Sequence, residues 1–165
     1  LGLKHTWLVG RSGPADKSAA PAAVYHKDAV ITKIRFNEAY WADGGIISTA
    51  RDGIIFLAAL KEGRLVKPET LALMHQWRKL RFPLQYGYGT MHVKFPGFMK
   101  RMMNVPPLWG HSGSTGSFLY YSEDMDLYLA GTINQTDAPS KPFRLLGKVI
   151  KAVQSRKMQP MQGKE

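Results

Sequence analysis

The chain contains no cysteine, which removes disulfides, zinc–thiolate centres and thiol nucleophiles from consideration. It also lacks a long apolar run. The most extended, Gly53 to Leu60, falls far short of the ~20 residues that a helical bilayer span requires. Acidic residues are missing from Thr70 to Ser122, where Arg78, Lys79, Arg81, Lys94, Lys100 and Arg101 all lie. A stretch charged with one sign attracts a carboxylate-bearing substrate, an anionic membrane surface or nucleic acid. The plainer reading is a solvated basic face. Zinc-finger spacing and an RRM-type aromatic signature are both absent, so nucleic acid is not expected as a partner. His5, His26, His75 and His92 form no H-x-x-x-H pair and are expected on the surface or in the core. Neither a metal nor another cofactor is expected. Gly10 to Ser18 imitates a phosphate loop, but Asp16 precedes Lys17 where that motif needs glycine, and a carboxylate repels phosphate.

What is present suits one folded domain: 165 residues, 44% hydrophobic and 21% charged, with a net charge of +11. Residues 10–23 are rich in Gly, Pro, Ala and Ser and read as a loop. Thr49 and Asp52 have capping-box spacing, Ala50, Ile54, Leu57 and Leu60 recur at helical intervals, and Gly63 is placed to end the helix. A second helix starts at Pro68, carries Leu71, Met74 and Trp77 on one face, and frays before Pro83. Tyr86-Gly87-Tyr88-Gly89 turns into a strand over Thr90–Phe95, and Pro96 to Leu108 reads as a long loop. Ser117–Ser122 and Leu127–Asn134 form a hairpin about the polar turn 123–126. Lys141 to about Arg156 is an amphipathic helix, and a flexible tail is expected over 157–165. The fold class is therefore α+β, an antiparallel sheet flanked by helices. Three strands under one covering helix would leave an edge bare.

Two stretches carry more specific information. Gly44-Gly45-Ile46-Ile47-Ser48-Thr49-Ala50-Arg51-Asp52, preceded by Ala42-Asp43, resembles the GG-apolar-apolar-STA-x-D segment of the serine β-lactamase-like family, which includes class C β-lactamases, DD-peptidases and related esterases. Gly110-His111-Ser112-Gly113-Ser114-Thr115-Gly116 resembles that family's third active-site motif, Lys-Thr-Gly or His-Ser/Thr-Gly. Leu1-Gly2-Leu3-Lys4-His5-Thr6 is similar to its LGM-x-x-T stretch, and Tyr86–Gly89 and Thr132–Gln135 fall where the family has similar pieces. The resemblance covers residues 1 to about 152.

The resemblance implies a bacterial-type penicillin-binding hydrolase acting through an acyl-serine intermediate on a small ester, amide or peptide. It further implies that His111 faces the nucleophile and that the Ser112 hydroxyl hydrogen-bonds the substrate. Gly113 would let substrate backbone approach, and the Ser114 N–H would be one oxyanion-hole donor. His111 in place of lysine points to an esterase or peptidase rather than a β-lactam hydrolase. Yet no Ser has Lys three positions on, and no Tyr or Ser has Asn two positions on. The expectation is that residues 1–156 are the C-terminal part of such a domain, inactive alone, with the N-terminal part of the same domain as partner. The rival is a non-catalytic binding or assembly module docking through its bare sheet edge. A self-contained triad hydrolase would need a G-x-S-x-G elbow, which is missing. Tyr86 and Tyr88 read as packing at the start of a strand, with lining of the cleft as the second reading. The 96–108 stretch, apolar at Phe98, Met99, Met102 and Met103 and basic at Lys100-Arg101, has two readings. Its side chains pack beneath the loop, or they meet acyl chains or a membrane surface. The compartment stays open between periplasm and cytoplasm.

Overall fold

A computed structural model describes residues 1–13, 20–32 and 44–158. Residues 14–19, with Asp16 and Lys17, fall outside them, as do Ala42, Asp43 and 159–165. The first strong element is helix α1, Ala50–Lys61. Thr49 is extended at its N-cap, and its hydroxyl accepts the Asp52 N–H at 3.2 Å. The Asp52 carboxylate, only 4% exposed, faces the other way. It accepts the His5 backbone N–H at 2.8 Å and the Thr6 hydroxyl at 2.9 Å, which satisfies a charge that would be costly to bury alone. The cap thereby ties the chain's first residues to α1. Strand β1, Trp7–Leu8, pairs with β4, Ile46–Ile47, beside this clamp, while β2, Tyr25–His26, and β3, Ala29–Val30, make a separate small hairpin.

Helix α2, Pro68–Met74, is shorter than its periodicity predicts. Past its C-cap the chain becomes β5, Arg78–Arg81, which pairs with β6, Leu84–Tyr86. The reason lies in contacts distant in sequence. Trp77 leaves the helix face to stack on His92 at 4.8 Å, and the Met74 carbonyl accepts both the Tyr88 N–H and the Thr90 hydroxyl at 3.0 Å. Gly87 makes that wrapping possible, since a Cβ there would overlap the Met74 carbonyl oxygen. The Tyr-Gly-Tyr-Gly stretch thus closes a helix end as well as turning a hairpin.

The main sheet is larger than the sequence reading anticipates, with six antiparallel strands in the order β10-β9-β8-β7-β6-β5. Strands β7, Met91–Val93, β9, Phe118–Ser122, and β10, Leu127–Gly131, fall within the expected ones. Strand β8, Leu108–Ser112, occupies residues read as loop and turn. Helices cover both faces rather than one. Leu146 and Ile150 of α4, Lys141–Met158, pack with Val93, Leu108, Phe118, Tyr120 and Leu129 on one side. Leu57 and Leu60 of α1 pack with Trp109 and Tyr121 on the other, joined by Leu71, Met74 and Trp77. The alternation of Leu108 with Trp109, and of Tyr120 with Tyr121, serves the two cores in turn. Residues 97–103 of the supposed loop are helix α3, Gly97–Met103. Met, Lys and Arg are good helix formers, and Pro96 stands just before the first turn. Asn104, at φ 50°, ends α3, and it exchanges hydrogen bonds of 3.0 and 3.1 Å with Gln154 of α4. Helix α4 runs to Met158, and residues 159–165 of the expected tail lie outside the described residues.

Candidate active site

His111 and Ser112 end β8, and residues 113–117 turn the chain into β9, so the motif closes one strand instead of starting one. Two hydrogen bonds hold the His111 ring. Its Nδ1 lies 2.9 Å from the Ser112 carbonyl oxygen, which can only accept, so Nδ1 carries the hydrogen in the neutral ring. The Nε2 lone pair then faces the Tyr86 hydroxyl at 3.1 Å, and Tyr86 donates. The two rings meet edge-on with centroids 5.7 Å apart. From sequence, Tyr86 reads first as packing and second as lining the cleft. Its role was invisible in sequence because β6, β7 and β8 must pair before residues 25 apart can meet.

Ser112 points elsewhere. Its Oγ is 2.7 Å from the hydroxyl of fully buried Tyr120, which in turn reaches the Met91 sulfur at 3.8 Å. Burial pushes the Tyr120 phenol above its ordinary range, with the Ser112 bond acting the other way. Ser112 therefore anchors the end of β8 to the core, and contact with a substrate would require exchanging that bond. The Gly113 N–H donates to the Ser117 carbonyl at 2.9 Å, and a Cβ on Gly113 would collide with the Ser117 hydroxyl. Its closest demand for space thus comes from its own turn.

The turn is braced from outside. The Ile133 N–H donates to the Gly116 carbonyl at 3.3 Å and the Gln135 N–H to the Thr115 carbonyl at 3.0 Å. Asn134 at φ 51° and its bond from N–H to the Thr132 hydroxyl set up that approach. This gives Thr132–Gln135 a physical task, holding 113–117 in place. Within the turn, Ser114 is exposed, and among the described residues its N–H has no acceptor.

The other histidines have a different setting. His75 stacks on Trp77 at 4.7 Å and meets Trp109 at 4.6 Å, and His92 stacks on the same Trp77 at 4.8 Å. Burial lowers both pKa values, that of His92 to about 4 with Lys94 and His75 adding to the effect. Both are half-buried and neutral near neutral pH, while His5 and His26 are exposed, as expected. Among the described residues no cluster of His, Asp and Glu could hold a metal ion.

The Beta-lactamase family model matches residues 1–153. The chain belongs to the Beta-lactamase family. Solved structures with this fold include a D-stereospecific amidohydrolase from Streptomyces sp., at 24% identity and a TM-score of 0.60, over 82% of this chain and 40% of that one. The D-amino acid amidase from Ochrobactrum anthropi SV3 aligns in its D-phenylalanine complex at 22% identity and a TM-score of 0.63, over 92% of this chain and 50% of that one. In its L-phenylalanine complex the values are 21%, 0.67, 94% and 47%. No curated protein matches. This Beta-lactamase family chain therefore spans 40–50% of the length of the solved proteins that share its fold.

Proposed function

We propose that residues 109–117 form one wall of a serine-hydrolase site that opens an amide or ester through an acyl-serine intermediate. The nucleophile would come from a Ser-x-x-Lys segment outside residues 1–165, since no serine of this chain has that spacing. One observation carries the reading: a doubly hydrogen-bonded His111 stands three residues from the exposed, unpaired Ser114 N–H on a braced turn. When the serine oxygen adds to the substrate carbonyl, the oxygen that gains charge would meet the Ser114 N–H. A donor of this kind is worth about 10²–10³ in rate. His111 Nε2 can take the proton released by the serine and return it to the departing amine or alcohol. The Tyr86 hydroxyl would rotate from donor to acceptor once Nε2 is protonated. Amides deserve the first trial because the solved proteins of this fold are named as amidases. Histidine in place of a fixed lysine cation argues for them over β-lactams.

The test uses the intact polypeptide that carries this segment, mixed with a chromogenic ester, a D-amino acid amide and a fluorescent penicillin. The expected result is a burst of one leaving group per active centre with the ester or amide, an acyl adduct by mass spectrometry, and no turnover by residues 1–165 alone. If the intact polypeptide forms no acyl adduct, the hydrolase reading is wrong. Strand β10, which has β9 as its one strand neighbour among the described residues, supports the alternative of an assembly module.

A further inference from the structure

The corner opposite α1 combines basic and apolar groups in a way the catalytic reading leaves unused. The β5–β6 turn and the segment between β7 and α3 line an open cavity of about 340 Å³ walled by Lys79, Phe82, Gln85, Lys94, Phe95 and Pro96. Phe82 meets Phe95 edge-on at 6.1 Å, which fixes the turn against the strand end. Apolar side chains project around this opening and along α3: Leu80 sits at the bulge of edge strand β5, Phe82 follows it, and Phe98 and Met102 are 75% and 74% exposed. Among the described residues, Lys79, Arg81, Lys94 and Arg101 enter no salt bridge, and no acidic residue occurs between Thr70 and Ser122.

We propose that this corner docks on an anionic lipid bilayer, with Phe82, Phe98 and Met102 entering the headgroup layer and Lys79 and Lys94 holding lipid phosphates at the mouth of the cavity. Charge complementarity selects that occupant. Cations without salt-bridge partners among the described residues favour an anionic surface, and single exposed apolar side chains suit insertion between lipids better than the flat face of a folded partner. A purely basic patch would serve a nucleic acid equally well, but four projecting apolar side chains gain nothing from a phosphate backbone. The inference does not depend on the acyl-serine chemistry, because the corner lies at the β5 end of the sheet and uses neither His111 nor Ser114.

The experiment measures sedimentation of the intact polypeptide with vesicles of phosphatidylcholine alone and of phosphatidylcholine mixed with phosphatidylserine. The unaltered protein should bind only the phosphatidylserine vesicles and lose binding as salt rises. The double variant Lys79→Gln, Lys94→Gln should bind on the order of 25-fold more weakly, about fivefold per lysine. Phe98→Ser with Met102→Ser should weaken binding without altering the salt dependence. Both pairs are at the surface, and equal melting temperatures would confirm that the variants fold. Equal partition onto both vesicle types overturns the proposal, as does no partition at all. Binding that short duplex DNA or inorganic phosphate competes away, but that the serine pair leaves intact, assigns the corner to a soluble anion instead.

Discussion

The two ends of the main sheet obey different rules. At the β8–β10 end, each strand has five residues, both faces are covered, and Tyr120, Leu146 and Ile150 lose all contact with solvent. At the β5–β7 end, the strands have three or four residues, and edge strand β5 is exposed throughout and carries three basic side chains. The proposed chemistry would use the place where the long strand β8 meets a braced turn, and that geometry is inherited from the deep core. The proposed docking corner sits where the sheet thins out and large apolar groups stay in solvent. A rigid end can position a catalytic imidazole, and a shallow end can present a surface.

This contrast can be broken by experiment. The largest effect is expected in the core: Ile150→Ala should destabilise by about 2–5 kcal/mol in denaturant unfolding, while Leu80→Ala should stay within about 0.5 kcal/mol. Comparable losses at both positions would show that the β5 end is as deeply packed as the β10 end. Next comes the junction between the ends, where Tyr86 reaches across to His111. Tyr86→Phe should lower kcat of the intact polypeptide about fivefold, the equivalent of one hydrogen bond, with KM and the melting temperature little changed. An effect confined to the melting temperature would make Tyr86 a packing residue after all.

The last test concerns the aromatic stack of His75, Trp77 and His92. The folded-state pKa of His92 is lowered to about 4 from its ordinary 6.5. Between those values the unfolded chain binds more protons, so this contribution to stability is fully present above about pH 6.5 and is lost as pH falls toward 4. His92→Phe, which keeps the stack on Trp77, should flatten the decline in melting temperature over that window. An unchanged slope would mean that His75 or groups elsewhere carry the acid sensitivity.

Much of the framework was legible in the residues. Thr49 and Asp52 announce the start of α1, the 123–126 turn announces the β9–β10 hairpin, and Phe143, Leu146 and Ile150 mark the buried stripe of α4. The missed elements share a cause. Strand β8 spells Leu-Trp-Gly-His-Ser, with glycine and histidine interrupting the alternation, and β5 spells Arg-Lys-Leu-Arg, whose single apolar residue gives no period. Neither segment is a strong strand former alone; each is a strand because neighbours on the sheet supply the hydrogen bonds. Helix α3 was hidden for the opposite reason, since flanking prolines suggested a loop while the residues between them favour a helix.

The same division applies to the site. Residue type and order alone pointed to His111, Ser112, Gly113 and Ser114 and to the family they resemble, because a short motif is carried by contiguous backbone. Whether each of these side chains faces the cleft or the core depends on strand pairing over tens of residues. Only the tertiary structure turned Ser112 onto Tyr120 and brought Tyr86 to His111, because each of those outcomes is set by a neighbour on another strand, and only it left the Ser114 N–H without an acceptor among the described residues.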